Sequence, residues 1–232
     1  MSNNLKVLIV GGGIISEEYI KILKYLKIDF CVVCRKEKTR KKISNNYGCL
    51  SFPGGISKFF KNKNFDKKFS HAIIAVGIED LYKVSKIVIE NNIRKILVEK
   101  PGSILKNEFK NLLKISNQNK AEVFIGYNRR FYSNVIFLKK KVLSKEKVLS
   151  FTFDFTEWPR TFLKKFNQKV LSNWILSNSS HVIDLTFFIA GEDPKQIYCL
   201  SKKNIGWHSK SIFTGNGITK SNISFSYHSK HV

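Results

Sequence analysis

Acid is scarce in this sequence. Seventeen Asp and Glu stand against 41 Lys and Arg, a formal net charge of +24 over 232 residues. Such a balance points first to nucleic acid or an anionic membrane. The placement argues otherwise: the lysines are spread over every segment, and the densest runs, Lys36–Lys42 and Lys139–Lys141, lack the interleaved aromatics of a stacking groove. Neither a specific nucleic acid nor a membrane is expected as partner. Long apolar runs are missing too; none nears the ~20 residues that span a bilayer. The first residues, Met1-Ser2-Asn3-Asn4-Leu5-Lys6-Val7, lack the basic-then-apolar order of a signal peptide. A cytoplasmic location is the expectation. Cysteines number four, too few for a disulfide framework in a chain this long. Cys31 and Cys34 form a C-x-x-C, but within a β-like apolar run, where residues three apart face opposite sides and cannot share one metal. Both are read as buried, reduced thiols.

What is present is a core and a pattern. Apolar residues make up 43% of the chain, ordinary for a globular protein. Lys6-Val7-Leu8-Ile9-Val10 reads as a buried strand, Gly11-Gly12-Gly13 as a turn, and Tyr19, Ile22, Leu23 and Leu26 as one face of a helix. Strand, glycine turn, helix is the context in which a glycine pattern signals a dinucleotide. Gly11 permits the tight turn, Gly13 lets the backbone approach a pyrophosphate at the helix N-terminus, and Ser16 stands at the usual third glycine. Glu17 and Glu18 suit a helix start but not a phosphate. A second strand, Ile28–Val33, ends at Cys34 and Arg35. Where the NAD form of this motif carries an acid, about 20 residues on, this chain has Arg35, with Lys36 and Arg40 close by. A guanidinium suits a 2′-phosphate, so NADP(H) is favoured and NAD(H) stays open.

Residues 38–69 are polar and basic, broken by Pro53-Gly54-Gly55. His71–Val76 is a further buried strand, placing Val76 beside the expected cofactor site. Leu81, Val84, Val88 and Ile89 mark a helix. Lys95–Val98 is a short strand stopped by Pro101-Gly102, which leaves Glu99 and Lys100 at its carboxyl end, where open α/β sheets place their ligands. Leu105, Phe109, Leu112, Leu113 and Ser116 repeat at helical spacing, and Ala121–Ile125 is another strand. Residues 1–126 thus read as a doubly wound parallel sheet, an NAD(P)-binding Rossmann domain. Residues 127–232 differ in pattern. They hold a helix over Tyr132–Leu143, a Phe/Thr alternation over Val148–Thr156, a helix from His181 to a Gly191 cap, and strand-like pieces at Gln196–Leu200, Ser211–Thr214 and Ile223–Tyr227. An α+β domain with a mainly antiparallel sheet is expected there.

Gly11-Gly12-Gly13, Glu99-Lys100-Pro101, Gly126-Tyr127-Asn128-Arg129-Arg130-Phe131 and Ser180-His181-Val182-Ile183-Asp184-Leu185 together resemble the Gfo/Idh/MocA oxidoreductases. The stretch around His181, with Gly206-Trp207-His208 and Ser211-Ile212-Phe213, looks closest to bacterial members of surface-sugar pathways. The resemblance covers essentially the whole chain. It implies hydride transfer to or from a sugar or cyclitol carbon, with a sugar or sugar nucleotide as the expected substrate. Lys100 would contact the substrate hydroxyl and the nicotinamide, with Glu99 beside it. His181 would accept or donate the proton, and Arg130 and Asn178 would contact substrate. Many members carry an aspartate a few residues before the histidine, where this chain has Ser177 and Asn178; members also continue with further strands beyond Val232. A shortened or catalytically impaired dinucleotide-binding protein, or one using NAD(H) in glycoside cleavage, are the alternatives. Homo-oligomers are expected if the second sheet is complete.

The chemistry has its own logic. Removing hydride from a carbinol requires the hydroxyl proton to leave as well, so a base must lie within hydrogen-bond reach. A histidine just inside a helix start, with Ser179 and Ser180 as caps, has its charged form disfavoured by the helix dipole. A lysine near the cofactor steadies the developing alkoxide.

Overall fold

The computed structural model describes residues 5–62, 68–145, 148–158, 163–202, 208, 210 and 212–231, without the side chains of 143–145 and 231. The chain divides into two compact units, Met1–Gly126 and Tyr127–Val232. Among the described residues no helix is long and apolar enough to cross a membrane.

In the first unit, strands β1 (Lys6–Val10), β2 (Asp29–Val33), β3 (Ser51–Phe52), β4 (His71–Ile74), β5 (Lys95–Glu99) and β6 (Glu122–Gly126) form one parallel sheet in the order 3-2-1-4-5-6. Helices α1 (Ile14–Tyr25), α2 (Glu37–Tyr47), α3 (Gly55–Lys61), α4 (Leu81–Glu90) and α5 (Lys106–Gln118) connect them. Alternate residues of each strand feed the two faces. Leu8, Val10, Cys31, Val33, Ile74, Ile96 and Val98 pack beneath α3, α4 and α5, while Val7, Ile9, Val32 and Cys34 pack against Ile20 and Leu23 of α1 and Ile43 of α2. Each fully buried Leu or Ile contributes about 1.5–3 kcal/mol. Cys31 and Cys34 lie in opposite cores, and no described group of His, Cys, Asp or Glu could hold a metal.

Three details differ from the sequence reading. The buried face of α1 is Ser16, Ile20 and Leu23; Ile22 and Leu26 are about half exposed, so the stripe is rotated by one residue. In α5 only Leu112 and Ser116 are buried, because the edge strand β6 offers little sheet to cover. The polar stretch 38–69 contains α2 and α3. Helix α2 buries Ile43 alone and is held instead by ion pairs and by Gly48, a left-handed cap whose N–H reaches the Ser44 carbonyl at 2.8 Å.

The second unit opens with a 3₁₀ turn, Asn128–Phe131, and helix α6 (Ser133–Lys145). Strands β7 (Ser150–Glu157), β8 (Pro194–Lys202), β9 (Ile212–Thr219) and β10 (Ser224–His231) form a sheet in the order 7-10-9-8. β7 runs parallel to β10 and the other pairs are antiparallel. A short helix α7 (Gln168–Leu171) and a π-helical turn (Ile175–Ser179) lead into α8 (Ser180–Ala190), which ends on left-handed Gly191. Phe187 of α8 stands edge-on to Phe151 at 5.5 Å and Phe225 at 5.1 Å, while Phe153 stacks on Tyr227. These rings join the helix to the sheet. Gly215 and Gly217 of β9 leave room for Tyr227 and Phe225, whose rings a Cβ would strike at 2.7 and 2.5 Å. Gly206, Trp207 and Ser211 lie outside the described residues.

Candidate functional site

In the first unit the strand order reverses between β1 and β4, which makes their carboxyl ends the switch point where such sheets take ligands. The glycine turn sits there. Gly11 has φ +137°, and a Cβ on it would lie 2.1 Å from the Ala75 carbonyl oxygen and 2.6 Å from Ser16 Oγ. Ser16 is fully buried and its hydroxyl donates to that same carbonyl at 3.2 Å, so the third-glycine position does serve close packing. Gly12, to which the motif alone assigns no role, is crowded on its other side: its Cβ would meet Thr39 Cγ2 at 2.4 Å and Cys34 Sγ at 2.9 Å. Gly13 is the opposite case, with nothing within 4 Å of a Cβ. It precedes α1 with no side-chain cap hydrogen bond for the first N–H groups of that helix. That combination fits a dinucleotide: two glycines in close packing, one with open space beside it, and a helix start without a side-chain cap. Val76 follows the end of β4, half-buried against the core.

The acids of α1 are accounted for. Glu17 accepts from Lys42 at 2.5 Å and from the Tyr47 hydroxyl at 2.8 Å, and these bonds hold its carboxyl below the usual range. Its charge is therefore neutralised from α2, away from a phosphate. Arg35 is mostly exposed and donates to Asp80 at 3.3 Å. Arg40 is paired with Glu37.

At the end of β5, the Gly102 N–H reaches the Glu99 carbonyl at 3.0 Å, closing a turn that presents Lys100. The Lys100–Pro101 peptide is cis. Gly102 has φ +84° and no room for a Cβ, which would lie 2.7 Å from Ile125. Glu99 accepts a 2.7 Å hydrogen bond from Tyr19 of α1. Burial and, next, this carboxylate push the Tyr19 phenol well above its ordinary value, so it stays a donor. The glycine-turn helix and the lysine turn are thereby tied together. From sequence Tyr19 belongs only to an apolar stripe; a polar-tipped residue there is the available signal.

In the second unit His181 lies in the first turn of α8 and meets the Tyr127 ring edge-on at 5.8 Å. Tyr127 is held above its ordinary value chiefly by burial. One turn on, Asp184 accepts from Nε of Arg130 at 2.7 Å and from one of its terminal nitrogens, a forked pair. Arg130 also lies 5.0 Å over Phe188. Two of its five N–H donors are committed to Asp184, so three are left for any substrate. A cleft of about 560 Å³ opens beside this pair, lined also by Lys139, Phe188 and Lys220. Its charges are largely internally balanced, Lys220 being bonded to Asp193 at 2.7 Å.

The expected serine caps are not formed. Ser179 Oγ donates to Glu157 at 2.7 Å and Ser180 Oγ donates to the Leu176 carbonyl at 2.8 Å. The reason is that α8 does not start from a free end: the π turn runs directly into it, so its first N–H groups need no cap. The dipole argument for His181 loses its force accordingly. Asn178, expected as a substrate contact, donates its amide to both oxygens of Glu157 at 3.0 Å. Glu157 itself was missed by sequence reasoning. The signal is there: Phe151, Phe153, Phe155 and Glu157 share one face of β7, a carboxylate where a fourth ring would sit.

No family model matches the chain, and no curated protein sequence is similar to it. Solved structures do match. The WlbA dehydrogenase from Chromobacterium violaceum, determined with NADH and UDP-GlcNAcA, superimposes with a TM-score of 0.82 at 12% identity, over 99% of this chain and 68% of that one. A putative NADPH-dependent oxidoreductase from Desulfitobacterium hafniense gives 0.80 at 16%, over 99% and 67%. Myo-inositol 2-dehydrogenase from Lactobacillus plantarum gives 0.79 at 14%, over 98% and 70%. The chain spans about two thirds of the length of these structures. What it shares with them is the fold: a six-stranded Rossmann-like sheet followed by a separate, mainly antiparallel sheet.

Proposed function

We propose that this chain is a nicotinamide-dependent oxidoreductase of the Gfo/Idh/MocA type, acting on a hydroxyl-bearing carbon of a sugar or sugar nucleotide. The observation that carries the reading is the glycine turn at the switch point, with Gly11 and Gly12 packed and Gly13 open. A bound nicotinamide would supply hydride acceptance or donation, chemistry no side chain provides. Gly13 and the first N–H groups of α1 would hold its pyrophosphate, Val76 and Glu99 would line its path, and Arg35 would face the adenosine ribose. NADP(H) is the preferred form. Among the described residues the Arg35 guanidinium is engaged by an exposed Asp80, a contact worth about 0–1 kcal/mol that a 2′-phosphate can displace.

In this reading His181 takes up the hydroxyl proton as hydride leaves the same carbon, and returns it in the reverse direction. The Lys100 ammonium steadies the alkoxide that forms between those events. Arg130 offers its remaining donors to substrate oxygens. The shared fold with a structure described as holding NADH and UDP-GlcNAcA supports a nicotinamide dinucleotide and a sugar nucleotide as the ligand classes, the NADP(H) preference resting on Arg35 alone.

The test is nicotinamide absorbance with the purified chain, NADP+ or NAD+, and UDP-N-acetylglucosamine, its uronic acid or myo-inositol as probes. A cofactor-dependent change is expected with at least one probe, reduced about 10²–10⁴-fold in His181→Ala, as for loss of a general base. Lys100→Ala should behave alike. If both variants match wild type, the site is misassigned; if no cofactor binds, the reading fails outright.

A further inference from the structure

The segment before His181 lacks a carboxylate in sequence, yet the fold delivers one. Glu157, the last residue of β7, receives three hydrogen bonds from two consecutive residues of the π turn: Asn178 Nδ2 to both carboxylate oxygens at 3.0 Å, and Ser179 Oγ at 2.7 Å. It is half-buried on the helix-covered face of the strand, in line with Phe151, Phe153 and Phe155. A carboxylate accepts only, so the Asn178 amide is oriented without ambiguity: nitrogen toward Glu157, oxygen left over. Its partners lie two and three residues before His181 and 21 and 22 residues from Glu157 itself. A π turn is a wide, uncommon conformation that recurs at functional sites, and here a strand-borne anion bonds its last two side chains.

We infer that Glu157 is a positioning residue for His181. It fixes the π turn, and with it the register in which α8 presents the imidazole; it also commits one N–H of Asn178 and turns the amide oxygen away from the carboxylate, where it can accept from a sugar hydroxyl. Strand β7 thus supplies the carboxylate that Ser177 and Asn178 do not, and Asn178 is held with its amide oxygen turned outward from Glu157. This rests on the reading of His181 as the proton-transfer residue.

The experiment is a charge-and-amide swap in the full chain. Glu157→Gln sets amide against amide, Asn178→Asp sets carboxylate against carboxylate, and the double variant restores one of each with the roles exchanged. Hydrogen exchange of peptides covering 173–185 should quicken about tenfold in each single variant, the factor lost with one charge-assisted bond, and return toward wild type in the double. Peptides of the first unit should not change and serve as the folding control. With NADP+ and UDP-N-acetylglucosamine, or whichever probe wild type turns over, kcat should fall about tenfold in Glu157→Gln with the cofactor KM within about twofold, and recover in the double. Wild-type exchange in both single variants would overturn the clamp. Quickened exchange with kcat unchanged would overturn the positioning role while leaving the clamp standing. If wild type turns over no probe but exchange follows the swap, the clamp holds and it is the catalytic reading of His181 that falls.

Discussion

At the scale of single residues, the three consecutive glycines are not equivalent. Gly13→Ala places a methyl in open space, so the variant should fold with an unchanged melting temperature and bind NADPH at least about tenfold more weakly. Gly12→Ala must move Thr39 or Cys34 and should lose about 1–3 kcal/mol of stability. Thermal melting alongside fluorescence titration of NADPH separates the two; a Gly13→Ala variant that binds normally would remove the pyrophosphate from this turn. The thiols below give a second outcome. Burial pushes Cys31 up to about 12 and Cys34 up to about 11, from an ordinary 9.0. Above pH 9 the unfolded chain sheds these protons first and the folded chain keeps them. The stability they carry is therefore complete below pH 9 and is lost as pH rises toward 11–12. The expected slope is up to about 1.4 kcal/mol per pH unit per thiol. Denaturant titrations between pH 8 and 10.5 should show a shallower decline in Cys34→Ala than in wild type.

At the scale of elements, α1 does two jobs. Its N-terminus faces the candidate pyrophosphate site, and its Tyr19 holds Glu99 at the end of β5. Tyr19→Phe removes one hydrogen bond to a half-buried carboxylate, and about 1 kcal/mol of stability should go with it. More telling, the peptide covering 99–105 should exchange its amides faster while β1 and β4 stay protected. How much of this was legible depended on what held each element. Strands β1, β2, β4 and β5 were readable because burial on both faces writes an unbroken apolar run. The glycine turn and the Glu99–Gly102 turn were readable because only certain residues can make them. Helix α2 was not: one buried isoleucine leaves no periodicity, and its support comes from Lys42–Glu17 and the Gly48 cap. The face of α1 was misjudged by one position because Ile22 and Leu26 are apolar yet exposed. Lys100 and His181 could be named from local motifs, whereas Glu157 has only one local sign, a carboxylate in line with Phe151, Phe153 and Phe155, and its partners lie 21 and 22 residues away.

At the scale of the whole molecule, burial is unequal. The first unit has two cores on either side of its sheet, each built around fully buried Leu, Ile and Val. Among the described residues of the second, the buried apolar side chains are Val135, Leu171, Trp174, Ala190 and Phe225, and β8 is exposed along nearly its whole length. Denaturation should therefore occur in two steps, the second unit first. A single transition followed by both near-UV and far-UV circular dichroism would contradict this. The charge of +24 acts at the same scale. Such a charge draws small anions from a distance, and on the proposed function the association rate of NADPH should fall as salt shortens the Debye length below about 10 Å.

The four thiols are distributed in a way that makes the molecule its own gauge. Cys199 is exposed on β8, Cys49 is half-buried beyond α2, and Cys31 and Cys34 are sealed in opposite cores of the first unit. A maleimide added at neutral pH meets one sulfur at once, a second more slowly, and the last two only when the sheet beneath the glycine turn comes apart. Counting adducts by mass against time therefore reports when the first unit has opened, without a dye or an engineered cysteine. Because Cys34 lies against Gly12 and Cys31 is sealed in the same unit, these two adducts are also a clock on the candidate cofactor cradle: a bound ligand should slow both and leave the rate at Cys199 unchanged.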